Sequence, residues 1–258
     1  MPAKTRRIRR GSGHSYELDG KTVDGVTTIL GNGVPKPALI NWAAEATAGY
    51  AVDNWERLAE LTPSKRLAEM KRGRYGPRDE AAVRGTTIHK YAHELAAGLE
   101  VDVPDALVGY VDAYLAFVAA YGVTELEVEA TVVNRKRSYM GTVDLIAEVD
   151  GEVWLVDWKT AKSGIFPEVA LQLAAYRNAE AIVDDGGAER PMPTIDVTAA
   201  VWLRADGYDV VPVETGEAVF RTFLYVQQVA RFSTAPRSEY VLDALPPRAA
   251  DVDAEAAS

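Results

Sequence analysis

Three residues in this chain have the types and spacing for divalent-metal chemistry: Asp144, Asp157 and Lys159. Two strand-like runs, SYMGTVDLIAEV and EVWLVDWKT, flank the dipeptide Asp150-Gly151. Asp-Gly between such runs is the strongest short-range hairpin signal, a two-residue type I′ turn. With that turn Val149 pairs with Glu152, and the register sets Asp144 directly opposite Asp157. Direct cross-strand partners hold their Cβ atoms about 4.5–5.5 Å apart, where like charges repel. Both runs are apolar on both faces, so this acidic pair is expected to be at least partly buried. Two such carboxylates share a proton or take a cation between them. Side chains alternate along a strand, so Lys159 shares a face with Asp157 while Trp158 points into packing. Two carboxylates and an ammonium in one patch is the composition of a divalent-metal site with a proton-handling or charge-stabilising lysine.

The triplet acid-x-Lys alone says little. It recurs at Asp19-Gly20-Lys21 and Glu69-Met70-Lys71, where no acid stands opposite. What singles out Asp157-Trp158-Lys159 is its setting. A helix is expected over 167–183, with Gln172 and Tyr176 one turn apart on one face. Upstream, Gly85-Thr86-Thr87-Ile88-His89 lies in a helix expected over 80–99, with Ile88, Leu95 and Leu99 on its packing face. His93 follows four residues after His89, but the order His-Lys-Tyr-Ala-His-Glu is not the zinc-protease pattern. A helical histidine by itself is ordinarily a packing or surface residue.

Basic residues are unevenly spread. Residues 71–84 concentrate Lys71, Arg72, Arg74, Arg78 and Arg84 around Tyr75. Such a segment can track a phosphate backbone and stack a base, or be a solvated inter-helix loop. Glu125, Glu127 and Glu129 alternate with apolar residues, which reads as a half-buried strand over 125–133. The connection 134–138 leaves its register open, so Glu129 faces either the acidic patch or water. Arg135, Lys136 and Arg137 form a second basic group at that hairpin tip.

Around this centre, residues 1–12 read as a mobile basic arm, either a disordered start without a role or a contact for phosphates. Residues 14–30 read as a short strand pair turning at Asp19-Gly20, 31–37 as a loop, and 38–50 and 54–72 as helices, the second interrupted at Pro63. A helix over 104–121, strands over 194–204 and 208–213, and a helix over 215–232 complete the pattern. The expected organisation is an arm, short strands and helices over 1–79, an α/β core over 80–235, and a disordered acidic tail over 236–258. A right-handed crossover would set the strand over 194–204 parallel to an earlier one.

The chain has 258 residues and a net charge of −10, so a uniformly basic nucleic-acid coat is excluded, although a locally basic groove is not. No apolar run approaches the roughly 18–20 residues of a membrane span. The basic N-terminus lacks the apolar stretch of a secretory signal, and cysteine is absent; a cytoplasmic protein is the expectation.

Gly-x-x-Asp ending at Asp144, Asp157-x-Lys159, Gln172-x-x-x-Tyr176 and Gly85-x-x-x-His89, in this order, resemble the RecB-type branch of the PD-(D/E)XK nucleases over roughly residues 85–176. The resemblance implies a restriction-endonuclease-like α/β fold with a mixed central sheet and an N-terminal helical region. It implies a metal-dependent DNA exonuclease of recombination or repair, with a structure-specific endonuclease or a non-catalytic DNA-binding module as alternatives. It makes Asp144, Asp157, His89 and the Trp158 carbonyl metal ligands and Glu129 a supporting acid. Lys159 becomes the residue that handles the attacking water or the developing charge. Gln172 and Tyr176 contact DNA or brace the site, and Arg72, Arg74, Tyr75, Arg78 and Arg84 contact the DNA backbone. The expected cofactor is Mg2+, with Mn2+ a plausible substitute, and lack of cysteine excludes the iron–sulfur cluster of some relatives. The expected partners are DNA with a free end and, in a phage-like recombination setting, a single-strand annealing protein. No Gly-x-x-x-x-Gly-Lys-Ser/Thr loop accompanies them.

Overall fold

The computed structural model describes residues 5–10, 13–73, 85, 87–88, 90–91, 94–95, 98–161 and 163–245. It is an α/β protein whose centre is a mixed seven-stranded sheet, ordered β10-β9-β6-β5-β4-β7-β8. Its middle strands are β4 (Thr124–Asn134), β5 (Tyr139–Val149) and β6 (Glu152–Lys159). Asp150 and Gly151 have φ of 49° and 83°, the positive pair that a type I′ turn requires. The turn fixes the expected register, with Val149 opposite Glu152. β9 (Val197–Arg204) pairs with β6 in parallel, as the crossover expectation had it, and turns back into β10 (Gly207–Pro212). On the other side of β4 lie β7 (Ala181–Val183) and β8 (Glu189–Pro191).

One face of the sheet is covered by α1 (Val26–Gly33), α6 (Glu168–Arg177) and α7 (Glu217–Thr234), through Val26, Ile29, Leu173, Tyr176 and Phe223. The opposite face is covered by α5 (Asp105–Tyr121) and by Ile88, which pack on Leu145, Val156 and Trp158. Burying a side chain such as Leu173 or Phe117, neither of which is exposed, contributes about 1.5–3 kcal/mol. Gly85, Thr87, Ile88, Lys90, Tyr91, Glu94 and Leu95 are helical, so the helix expected there is present among the described residues.

The N-terminal third departs from expectation. Residues 6–10 are no arm: β1 (Arg6–Arg10) pairs with β2 (Gly13–Leu18), which pairs with β3 (Lys21–Val23) across Asp19-Gly20. This second sheet buries Tyr16 and Leu18 against Val133 and Met140 of the large one. Residues 26–33 are helical rather than strand and loop, because Val26, Ile29 and Leu30 recur at helical spacing and are all buried. α1 therefore belongs to the main core, and the boundary expected at residue 79 does not divide it. α2 (Pro37–Asp53), α3 (Trp55–Ala59) and α4 (Pro63–Gly73) follow, with the break falling just before Pro63. The helix expected over 167–183 stops at Arg177, because Ala181–Val183 pairs with β4. Part of the expected disordered tail is ordered, as α8 (Arg237–Tyr240); residues 246–258 lie outside the described residues. Among the described residues no helix is long and apolar enough to cross a membrane.

Candidate active site

The site forms where β5 and β4 lose their alternation. Val143 packs in the core under α6, but Leu145, two residues on, packs in the core under α5, and Ile146 returns to the first. β4 does the same: Ala130 and Val132 lie with the first core and Val128 with the second. The break falls on Asp144 in one strand and Glu129 in the other. Since Val128 pairs with Leu145 and Ala130 with Val143, these two stand opposite each other. Glu129 takes φ of 51°, a left-handed conformation that costs a non-glycine residue on the order of 1–2 kcal/mol.

The same break modifies the expected Asp144–Asp157 opposition. The β5–β6 ladder ends at Leu145–Val156, one pair short of the aspartates. There the Asp144 Oδ2 accepts the Trp158 N–H at 2.9 Å, replacing a main-chain acceptor. Trp158 is held in turn by edge-on contacts with Tyr114 and Phe117, at centroid distances of 5.3 and 5.5 Å.

Asp157 is 1% exposed. A carboxylate so buried persists only with charged or hydrogen-bonding partners, and both are present. Its Oδ2 meets the ammonium of Lys159, and its Oδ1 accepts from Gln172 Nε2 at 2.8 Å. Gln172 Oε1 accepts from Lys159 Nζ at 3.4 Å, closing a three-residue ring. Gln172 Nε2 also lies 3.4 Å from the Tyr176 hydroxyl. Gln172 is half-buried and Tyr176 buried, and both contact the acidic site from α6. Gly141 leaves room for that ring: a Cβ there would stand 2.4 Å from Tyr176 Cε1.

Electrostatics follow from this packing. Desolvation draws the Lys159 ammonium down, but Asp157, Asp144 and Glu168 outweigh it and hold Lys159 above the ordinary lysine value. The Tyr176 hydroxyl is pushed well above the ordinary tyrosine value by burial first, then by Asp144, Tyr16 and Asp157. Glu168 is a site residue the sequence reading missed. It lies on the first turn of α6, pairs with Lys36 at 3.2 Å and acts on Lys159. The signal was present: Glu168, Gln172 and Tyr176 recur at intervals of four, one helix face.

The remaining expected residues are less gathered. Glu129 faces Arg7, 3.9 Å away, as well as standing opposite Asp144 in the register. Arg72 is exposed on the last turn of α4, a helix that packs on α2 and α3. His89, Arg74, Tyr75, Arg78 and Arg84 lie outside the described residues, as does His93. A Cβ on Gly85 would stand 3.5 Å from Thr160 Oγ1, so that helix passes beside the residue after Lys159. Arg135 is tied to Asp19, Thr5 and Glu189, a structural junction.

Asp144 and Asp157 supply hard oxygen donors, and Mg2+ typically takes one or two protein carboxylates and keeps several waters. Among the described residues no group of three His, Cys, Asp or Glu side chains is placed to hold a metal. In donor chemistry the two carboxylates fit such an ion.

No protein-family model matches the chain, and no curated protein matches it in sequence. Among solved structures it is similar to the crystal structure of SSO0001, at 13% identity over 81% of this chain and 75% of that one, with a TM-score of 0.36.

Proposed function

We propose that this chain is a divalent-metal-dependent deoxyribonuclease with a PD-(D/E)XK core, acting as an exonuclease on DNA ends. The observation that carries this reading is the ring of Asp157, Lys159 and Gln172 beside Asp144 at the break in the sheet. A protein that needed only stability has little reason to bury a carboxylate beside a second one, since an apolar replacement is often as stable or more so.

Bound to Asp144 and Asp157, Mg2+ or Mn2+ would polarise a phosphoryl oxygen and acidify a water. His89 and the Trp158 carbonyl are the further ligands in this reading. Lys159 is cationic, because three carboxylates favour its charged form. It therefore orients the attacking water or stabilises negative charge on the phosphoryl group. Gln172 holds Asp157 and Lys159 at fixed separation, which keeps those charges preorganised. Arg72, Arg74, Tyr75, Arg78 and Arg84 contact the DNA backbone in this reading. The cellular setting is recombination or repair, alongside a strand-annealing protein.

The test is cleavage of linear and covalently closed DNA with Mg2+, with Mn2+ and with EDTA, for the wild type, Asp144→Ala and Lys159→Ala. Metal-dependent loss of linear DNA alone, abolished in both variants, is expected. Cutting of the closed circle would establish an endonuclease instead. No cleavage of any DNA with either metal would overturn the enzymatic reading and leave a binding module.

A further inference from the structure

The N-terminal sheet does more than cap the core. In its register Arg7 pairs with Tyr16 and Arg9 with His14, so these four side chains share one face. Tyr16 turns that face onto β5: its hydroxyl shares a hydrogen bond of 2.8 Å with Thr142 Oγ1. Thr142 lies two residues before Asp144. His14 Nε2 reaches the same Tyr16 hydroxyl at 2.9 Å, and Arg7 Nη2 stands 3.5 Å from His14 Nδ1. Arg7 also faces Glu129, the left-handed residue opposite Asp144. Tyr16 is close enough to perturb Tyr176 together with Asp144 and Asp157. One side of the acidic site is thus bordered by an arginine–histidine face.

That face remains accessible. The Arg7 side chain is 34% exposed, and Arg9 is exposed next to it. The hairpin is also firmly held. Arg135 binds Asp19 and Thr5 at its base, Gly25 bridges to Met140, and Leu18 is buried. An arginine pair on a strand tied to the core, beside carboxylates that repel a phosphate, is an arrangement that positions a polyanion by its backbone. In a chain of net charge −10, a local field of this kind is what would draw a polyanion to the acidic site.

We infer that Arg7 and Arg9 grip backbone phosphates of the DNA strand next to the scissile one, with Glu129 and His14 as positioning residues that aim Arg7. DNA as the ligand rests on the proposed nuclease activity; the geometry does not. Glu129 is on this account an anchor for an arginine rather than a metal ligand.

The experiment is fluorescence anisotropy with a short blunt duplex in EDTA over a salt series, using the full chain, Arg9→Ala, Arg7→Ala, Arg7→Lys and the double alanine variant. Melting temperatures are measured alongside. Each alanine should make the slope of log K against log salt shallower by about 0.9, the share of one phosphate contact, whatever the sequence of the duplex. Arg7→Lys should keep the slope. A double variant that melts like the wild type and binds with unchanged slope and affinity would overturn the inference, as would a wild type that does not bind DNA. Cleavage is scored separately with Mg2+. Binding that depends on Arg7 and Arg9 without cleavage would sink the nuclease and keep this surface. Cleavage with an unaltered double variant would do the reverse.

Discussion

Replacing Lys159 by methionine should destabilise the protein more than replacing Asp157 by asparagine, although each removes one half of the same ion pair. Asp157 is 1% exposed, whereas the Lys159 side chain is 26% exposed and reaches water. Without Lys159, a buried carboxylate loses its cation, and the Gln172 amide, a neutral donor, cannot replace it. Breaking a buried pair in this way costs about 3–5 kcal/mol. Without the Asp157 charge, the ammonium still finds Gln172 and solvent, and a loss of about 1 kcal/mol is expected. The double variant should recover most of the Lys159→Met loss, because no charge is then stranded. The cost of the single variant should also shrink in acid, since a desolvated carboxylate without its cation takes up a proton more readily. Urea unfolding of the three variants and the wild type at pH 7, repeated at pH 5, gives the cycle. Equal losses in the two single variants, or a double variant as unstable as Lys159→Met, would refute the reasoning.

Gly141→Ala should cost about 1–3 kcal/mol and lower cleavage, because its Cβ would stand 2.4 Å from Tyr176 and 3.2 Å from Val26; thermal melting and the nuclease assay read both. Arg135→Ala should loosen the N-terminal sheet, at about 1 kcal/mol given the exposure of its partners, seen as early hydrogen exchange in β1–β3. Its hydrogen bonds also hold the Glu189 carboxyl below the ordinary glutamate value. That contribution is present above the unfolded value and lost as pH falls through the folded one, so acid unfolding of the variant should set in at higher pH. Mg2+ or Mn2+ at a hundred times Kd should raise stability by about 2.7 kcal/mol in a thermal melt, and Asp144→Asn should abolish the rise. Glu129→Gly should be close to neutral, relief of the left-handed backbone offsetting glycine's entropy, whereas Glu129→Ile should cost at least about 1 kcal/mol despite sitting in a strand. Melting of the pair checks that order.

Which parts of this were legible follows from how local their causes are. Asp150-Gly151 announces its own turn, and the turn alone sets the register that brings Asp157 near Asp144. The i, i+4 spacing likewise put Gln172 and Tyr176 on one face. The N-terminal arginines misled, because an arginine-rich run reads as an arm until Glu17 and Tyr16 are known to lie across from it. The β-branched run Val26-Thr27-Thr28-Ile29 hid α1, whose apolar spacing matters only against the Tyr176 and Phe223 side of the core. The apolar residues Ala179, Ala181, Ile182 and Val183 made α6 look longer than it is, because only tertiary pairing with β4 distinguishes strand from helix there.

The break at Asp144 was the feature least available to the sequence, and it shapes the site. Continued past Leu145, the hairpin register would keep Asp144 directly opposite Asp157, on the α6 side with Leu155 and Val153. The break ends that ladder one pair short, sets Val143 as well as Ile146 on the α6 side, and leaves the Asp144 carboxylate on the Trp158 N–H at the edge of the same patch. A strand with apolar residues on both faces carries no period-2 signal in which such a shift could be read. The shift must be matched on β4, and there it falls on Glu129, whose left-handed backbone absorbs it. The strain at Glu129 and the position of Asp144 are thus one feature. That is why a residue forced into an unfavourable conformation also carries the carboxylate that faces Arg7.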